Sequence, residues 1–153
     1  MYTFKLQAVL DHRQYIEDRL QKELADIRRQ LDESRQHLVS LQGKARDTAA
    51  ALKREQADGL SSDRVVAYHA YFKRLDGDIH RQERAIGEIE VLERMKQNEL
   101  LEAVKKRQIL EKLKEKELQR YNLAMLRKDM QFIDEIAVNQ FARKMIQNNG
   151  DKP

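Results

Sequence analysis

The sequence predicts an all-α fold: a long two-stranded antiparallel coiled-coil hairpin with a C-terminal single-helix overhang. Charged residues make up 37% of the 153 residues and aromatic residues only 6%, a composition typical of long helices and coiled coils. Two long segments place apolar residues alternately three and four positions apart, which is the spacing of a coiled-coil interface. A short run between them contains the signals that end one helix and begin another. The whole chain, residues 1–153, is predicted to be a single coiled-coil domain.

The first helix is predicted over about residues 4–57. Steps of three and four from Leu6 to Leu52 select fourteen positions, ten of which are apolar, and the phase holds throughout. We expect these positions to form the seam that faces the second helix. Two seam positions near the N-terminal end, Arg13 and Glu17, are charged. Either they pair with each other at a solvated rim, or this end of the hairpin meets charged groups of a partner.

The turn is predicted at residues 58–63. Gly59 can take the left-handed conformation that ends a helix, and Leu60 can fold back onto the last turn. Ser62 or Asp63 can accept hydrogen bonds from the first free backbone N–H groups of the next helix. Because the connection is so short, the two helices should be antiparallel neighbours.

The second helix is predicted over about residues 64–147, followed by a frayed tail at residues 148–153. Its seam runs from Val65 to Ile89, where seven of eight positions are apolar. Past Glu93 the leucines leave a single heptad line, so we expect the register to loosen there.

An overhang is predicted because the second helix is longer than the first. Pairing about residue 60 places Leu6 opposite about residue 115, which leaves some 25 to 30 residues of the second helix beyond it. The overhang carries two apolar stripes, one of Leu118, Tyr121, Met125, Phe132 and Ile136 and a second of Leu126, Met130, Ile133, Ala137 and Phe141. Exposing such side chains forgoes about 1.5 to 3 kcal/mol each. We therefore expect either a second copy of the chain or a different protein to cover them.

Composition and motifs argue against catalysis and against a membrane span. The chain has no cysteine, so disulfide and thiol chemistry are excluded. The four histidines lie outside any metal-binding spacing, and neither a phosphate-binding loop nor a nucleophile elbow is present. The sequence predicts no enzyme, no metal site and no cofactor. It contains no apolar run long enough to cross a bilayer and no signal peptide at its start.

The charge pattern does not indicate a nucleic-acid partner. The net charge is +4, from 30 basic and 26 acidic residues, so the surface carries mixed signs. The stretch from Lys105 to Arg120 is locally basic but has no interleaved aromatic residues, so we interpret it as a solvated face and expect no nucleic-acid partner.

Three stretches together resemble the FliJ family of flagellar type III export proteins. They are Phe4–Arg13 (FKLQAVLDHR), the turn segment Gly59–Arg64 (GLSSDR), and LEKLKEK at residues 110–116 with IDEIA at residues 133–137. The turn segment runs into Tyr68, Tyr71, Phe72, Leu75 and Ile79. FliJ proteins are in turn similar to the antiparallel coiled coil of the rotary-ATPase γ subunit.

The resemblance implies a cytoplasmic component of the flagellar export apparatus, peripherally associated with the cytoplasmic face of the inner membrane at the flagellar base. Its implied partners are the hexameric export ATPase (FliI-like), which it enters and activates, the cytoplasmic domain of the export-gate membrane protein (FlhA-like), and export chaperones. No direct membrane insertion is implied. The alternatives are the corresponding stalk of a virulence injectisome and a self-associating coiled-coil scaffold with no ATPase partner.

Two sets of site residues follow from the resemblance. The family's gate-binding stripe falls on Tyr71, Leu75, Asp78 and Gln82, although Asp78 and Gln82 depart from the family's residue types at those positions. We predict that the ring-facing end is formed by Phe4, Leu6, Arg13, Tyr121, Met125, Phe132 and Ile136.

Overall fold

Two helices account for nearly all of the chain. A computed structural model describes residues 1–150 and contains helix α1, Gln7–Asp58, and helix α2, Ser62–Gly150. Within these residues there is no β-strand. The predicted all-α antiparallel coiled-coil hairpin is therefore confirmed.

The chain separates into two compact parts, each containing a segment of both helices. The turn part is Gln14–Val104, which includes the connection between the helices. The terminal part combines Met1–Arg13 with the chain from Lys105 onward. In both parts the segment of α1 lies against the segment of α2.

The turn follows the predicted residues with one difference. Gly59 has a φ of 95°, which glycine adopts without the steric cost that a side chain would add. Ser61, and not Ser62 or Asp63, caps the second helix: its Oγ accepts a hydrogen bond from the Arg64 N–H at 3.4 Å. Its carbonyl oxygen also accepts from the Val65 N–H at 3.1 Å. A cap must precede the first helical residue, and α2 begins at Ser62.

In the turn part the predicted seam lies at the helix interface. Every predicted seam position of α1 from Glu17 to Leu52 is buried or half-buried, as is every predicted position of α2 from Val65 to Ile89. The most buried of them include Leu24 and Leu31. The periodicity of the sequence therefore located this interface correctly.

Past Ile89 the interface of the turn part continues through charged residues. Glu93 accepts a hydrogen bond from Arg28 at 3.2 Å, and the Lys96 ammonium lies 2.7 Å from a carboxylate oxygen of Glu23. Leu101, by contrast, is exposed. The steps of three and four continue along α2, but cross-helix ion pairs take the place of leucines at two of the positions.

The ends of the helices differ from the prediction. Helix α1 begins at Gln7 rather than at residue 4, after a turn in which the Gln7 N–H donates to the Phe4 carbonyl at 3.1 Å. Because Leu6 precedes the helix, helical spacing does not apply to it, and Phe4 is buried while Leu6 is exposed. Helix α2 continues to Gly150, since the chain has no proline before Pro153 that would break it. The rest of the predicted frayed tail, residues 151–153, lies outside the described residues.

Candidate functional site

The N-terminal segment pairs with α2 through a small polar and aromatic cluster. Lys114 donates to the side chain of Gln7 at 2.8 Å, which agrees with pairing about residue 60. The Tyr2 hydroxyl donates to the Lys114 carbonyl and to Glu117, each at 3.4 Å. Its ring lies 5.5 Å from that of Tyr121. Burial, together with the charge of Glu117, raises the pKa of the Tyr2 hydroxyl.

Tyr2 was not among the predicted site residues, although it is part of this cluster. The signal that could have found it was the pairing about residue 60, which places the start of the chain opposite the region of Tyr121. The predicted ring-facing residue Phe4 is buried and Arg13 is half-buried. Leu6 and the overhang therefore supply most of the exposed apolar surface of the predicted ring-facing set.

Beyond Tyr121 the second helix continues alone. Every residue from Asn122 to Gly150 is exposed, and we call residues 122–150 the overhang. Its exposed large apolar side chains are Leu123, Met125, Leu126, Met130, Phe132, Ile133, Ile136, Val138, Phe141, Met145 and Ile146. A water-exposed helix usually keeps its apolar residues on one packed face. An apolar surface of this size marks an interaction site.

The predicted ring-facing residues of α2 extend the interface line of the terminal part. Along α2 the half-buried positions 107, 110, 114, 117 and 121 follow one another at steps of three and four. The same line continues through Met125, Phe132 and Ile136. Up to Tyr121 this face is covered by the N-terminal segment, and after it the same face is exposed.

The predicted gate-binding residues do not share one exposed surface. Tyr71 is 39% exposed, whereas Leu75 is 5% exposed and belongs to the helix interface. Gln82 donates a hydrogen bond to the Ser34 carbonyl across the interface at 3.0 Å. Asp78 is half-buried and pairs with Arg81. Of the four residues, Tyr71 presents the exposed apolar surface, and Leu75 and Gln82 hold the two helices together.

Tyr71 borders a shallow groove close to the turn. The groove has a volume of about 290 Å³ and is lined by Thr48, Arg64, Ala67, Tyr68 and Tyr71. Arg64 is held in place by two hydrogen bonds to the carboxylate of Glu55, at 2.7 and 3.0 Å. These bonds lower the pKa of the Glu55 carboxyl. The groove therefore combines tyrosine surface with a fixed guanidinium.

Metal-binding clusters are not found in the part of the chain that the structure describes. Within residues 1–150, no three His, Asp or Glu side chains lie close enough together to hold a metal ion. His80 and Asp76 form a pair, with Nδ1 2.7 Å from the Asp76 carbonyl oxygen and 3.5 Å from its carboxylate. The hydrogen bond to that carbonyl, with the charge of Asp76, raises the pKa of His80.

Neither helix contains, over the described residues, a stretch long and apolar enough to cross a lipid bilayer.

Comparison with known families agrees with the resemblance in the sequence. The model of the family described as "Flagellar FliJ protein" matches residues 2–145, which is most of the chain. No curated protein and no solved structure matches the chain. The match includes both helices, the turn and most of the overhang. The chain therefore belongs to the FliJ family and is a coiled-coil protein associated with flagellar export.

Proposed function

We propose that this protein is the stalk of the flagellar export ATPase, a coiled coil that enters the hexameric ATPase ring with its overhang and promotes ATP hydrolysis. The family is a non-enzymatic part of the export machinery, so ATP hydrolysis belongs to the ring. The stalk would act by favouring one conformation of the ring subunits that it contacts.

The exposed overhang is the observation that carries this proposal. Residues 122–150 are exposed along their whole length, and their apolar side chains lie on more than one side of the helix. A single flat partner surface would cover only one side. A ring with a central cavity surrounds the helix and can cover all of them. We expect Phe132 and Ile136 to lie in this contact, because they extend the interface line beyond the N-terminal segment.

The remaining partners follow from family membership and from Tyr71. We infer that the cytoplasmic domain of the export-gate membrane protein binds near the turn, with Tyr71 as its main apolar contact and Asp78 beside it. Leu75 and Gln82 would support this surface from the helix interface. Binding of export chaperones, and a location at the cytoplasmic face of the inner membrane, are proposed on the family resemblance.

The test measures ATP turnover and hexamer formation by the export ATPase with and without the purified protein. We expect Phe132→Glu with Ile136→Glu to abolish the stimulation, because two carboxylates would have to be buried in the apolar contact. Phe132 is 63% and Ile136 41% exposed, so the variant should keep the helical circular dichroism spectrum of the wild type.

A matched control places the same two charges elsewhere on α2. Val91 and Leu92 are about half-exposed and lie in the turn part, so Val91→Glu with Leu92→Glu should stimulate the ATPase normally. Normal stimulation by the overhang variant would refute ring insertion through this face.

The self-associating scaffold is the second candidate, because another copy of the chain could also cover the overhang. Light scattering distinguishes the two. A stable dimer that Phe132→Glu with Ile136→Glu converts to a monomer, without any effect on the ATPase, would favour the scaffold. The corresponding injectisome stalk is less well supported, since the matching family is the flagellar one.

A further inference from the structure

A second face of α2 remains after the ring-facing residues have been assigned. Steps of three and four from Lys105 to Phe141 select Lys105, Ile109, Lys112, Lys116, Arg120, Leu123, Leu126, Met130, Ile133, Ala137 and Phe141. Ten steps cover 36 residues, an average of about 3.6 residues per step, which is one face of a straight α-helix. All eleven residues are exposed. We call them the outer face, since they lie opposite the line through Arg107, Lys114 and Tyr121.

The outer face changes character along its length. From Lys105 to Arg120 it consists of four cations and the exposed side chain of Ile109. From Leu123 to Phe141 it is apolar. None of the eleven residues is acidic, although Glu115 lies beside Lys112 and Asp134 lies beside Met130 on the same side of the helix. The face is therefore cationic in its first half and apolar in its second half.

The surrounding segment carries the positive charge of the protein. Residues 105–128 contain nine basic and three acidic residues, a net charge of +6. The rest of the chain contains 21 basic and 23 acidic residues, a net charge of −2. A charge concentrated in this way attracts an anionic partner to one segment of the chain.

Three cations of the outer face, Lys112, Lys116 and Arg120, are available to a partner. Among the described residues, no carboxylate forms an ion pair with Lys112, Lys116 or Arg120, and all three are exposed. In the same segment Arg107 is paired with Glu111 at 2.7 Å. The acidic residues of the segment thus do not neutralise these three cations.

A second copy of the chain could cover the apolar half of this face but does not suit the whole of it. In a parallel pair the cations of one copy would lie against those of the other, which is repulsive. In an antiparallel pair centred on Leu123, each cationic half would lie against an apolar half, which would desolvate charges without pairing them. The partner must therefore offer negative charge and apolar surface together.

A nucleic acid meets only half of this requirement. It would pair with the cations, but it would leave the stripe from Leu123 to Phe141 in water, and no aromatic residue lies among the cations to stack on a base. An anionic lipid bilayer meets both halves, because its headgroups are negative and its acyl region begins just beneath them.

We propose that the outer face adsorbs to the surface of an anionic phospholipid bilayer. Lys112, Lys116 and Arg120 bind the headgroups, while Leu126 and Ile133 enter the boundary between headgroups and acyl chains without spanning it. The helix lies in the plane of the surface. This inference concerns the free protein, in which the outer face is exposed, and it needs no ATPase. The apolar half of the outer face cannot lie on a bilayer and inside the ring at the same time.

The test is flotation of the purified full-length protein with vesicles. We expect binding to vesicles of phosphatidylglycerol and phosphatidylcholine in equal parts, weak binding to pure phosphatidylcholine vesicles, and loss of binding at high salt. Lys112→Gln with Lys116→Gln and Arg120→Gln should lower the partition coefficient about 100-fold, since each cation near an anionic surface contributes roughly a factor of five.

Matched variants distinguish binding through the outer face from nonspecific adsorption to vesicles. Lys44→Gln with Lys53→Gln and Arg54→Gln also removes two lysines and one arginine, from exposed positions in the turn part, and should leave binding unchanged. Met130→Gln should weaken binding, whereas Phe132→Gln, about 160° away around the same helix and similarly exposed, should have little effect.

Three outcomes would overturn the proposal. They are equal binding to neutral vesicles, equal losses from the two triple variants, and tight salt-dependent binding to DNA without binding to anionic vesicles. Because the assay contains no ATPase, a negative result would leave ring insertion standing, and failed ATPase stimulation would leave lipid adsorption standing.

Discussion

Truncating Leu31 to alanine should cost about 2 to 3 kcal/mol of the free energy of unfolding. Leu31 is 3% exposed at the centre of the α1 seam. A buried leucine truncated to alanine loses the transfer free energy of its methyl and methylene groups and leaves a cavity, which together cost about 2 to 5 kcal/mol. We expect the lower half of this range, because an interface between two helices can close over a cavity more easily than a surrounded core can.

Urea unfolding followed by circular dichroism measures the effect. The midpoint should fall while the slope with denaturant stays the same, since the surface exposed on unfolding is nearly unchanged. The control is Leu101→Ala, the same substitution at a residue that is 53% exposed. It should change the free energy of unfolding by less than about 0.5 kcal/mol. Equal losses from Leu31→Ala and Leu101→Ala would refute the assignment of the interface positions.

Two further predictions concern binding of the export-gate cytoplasmic domain and the stability of the fold at low pH. Tyr71→Ser should weaken binding of the export-gate cytoplasmic domain at least about 10-fold, as expected for an aromatic contact, whereas Tyr15→Ser, at another exposed tyrosine, should not; equal affinities by calorimetry would place the gate contact elsewhere. The pKa of Glu23 is lowered from 4.5 by the Lys96 ammonium beside it, and that of Glu55 by its hydrogen bonds from Arg64. These carboxylates therefore stabilise the fold above pH 4.5, and the contribution is lost as the pH falls through their lowered folded-state values. The urea midpoint should fall on acidification, and less so in Glu23→Gln with Glu55→Gln; an equal fall in both proteins would contradict this.

Much of the fold could be read from periodicity because a two-helix interface follows the local spacing of residues. The seam positions from Glu17 to Leu52 needed no knowledge of the partner helix, since a helix turns by the same angle at each residue. Gly59 marked the turn because few other residues take a positive φ without strain. These features depend on sequence neighbours alone.

Past Ile89 the interface could not be predicted from hydrophobic periodicity, because charged residues replace leucines at two of its positions. Lys96 and Glu93 occupy interface positions, but a pattern defined by apolar residues alone does not include them. Their place depends on Glu23 and Arg28, which lie far away in the chain and come near only through pairing of the helices. Continuing the steps of three and four through charged residues places Glu93 and Lys96 on the interface line, but it does not identify their partners.

In the candidate site, too, some features could be predicted from the sequence and others could not. The apolar overhang was predictable from the unequal lengths of the helices, and the structure confirms it. The predicted seam from Val65 to Ile89 already includes Leu75 and Gln82, so the sequence placed both of them at the helix interface. Tyr71 lies next to the seam, and whether such a residue is covered or exposed depends on the position of the partner helix.

By itself the sequence determined that the chain forms two paired helices with an apolar overhang, because helix periodicity and the turn are local properties of the chain. Only the tertiary structure decided that Phe4 is buried in place of Leu6, that ion pairs continue the interface past Ile89, and that Tyr71 remains exposed. Each of these depends on atoms that are distant in sequence, and burial is a property of the pair of helices and not of either one alone.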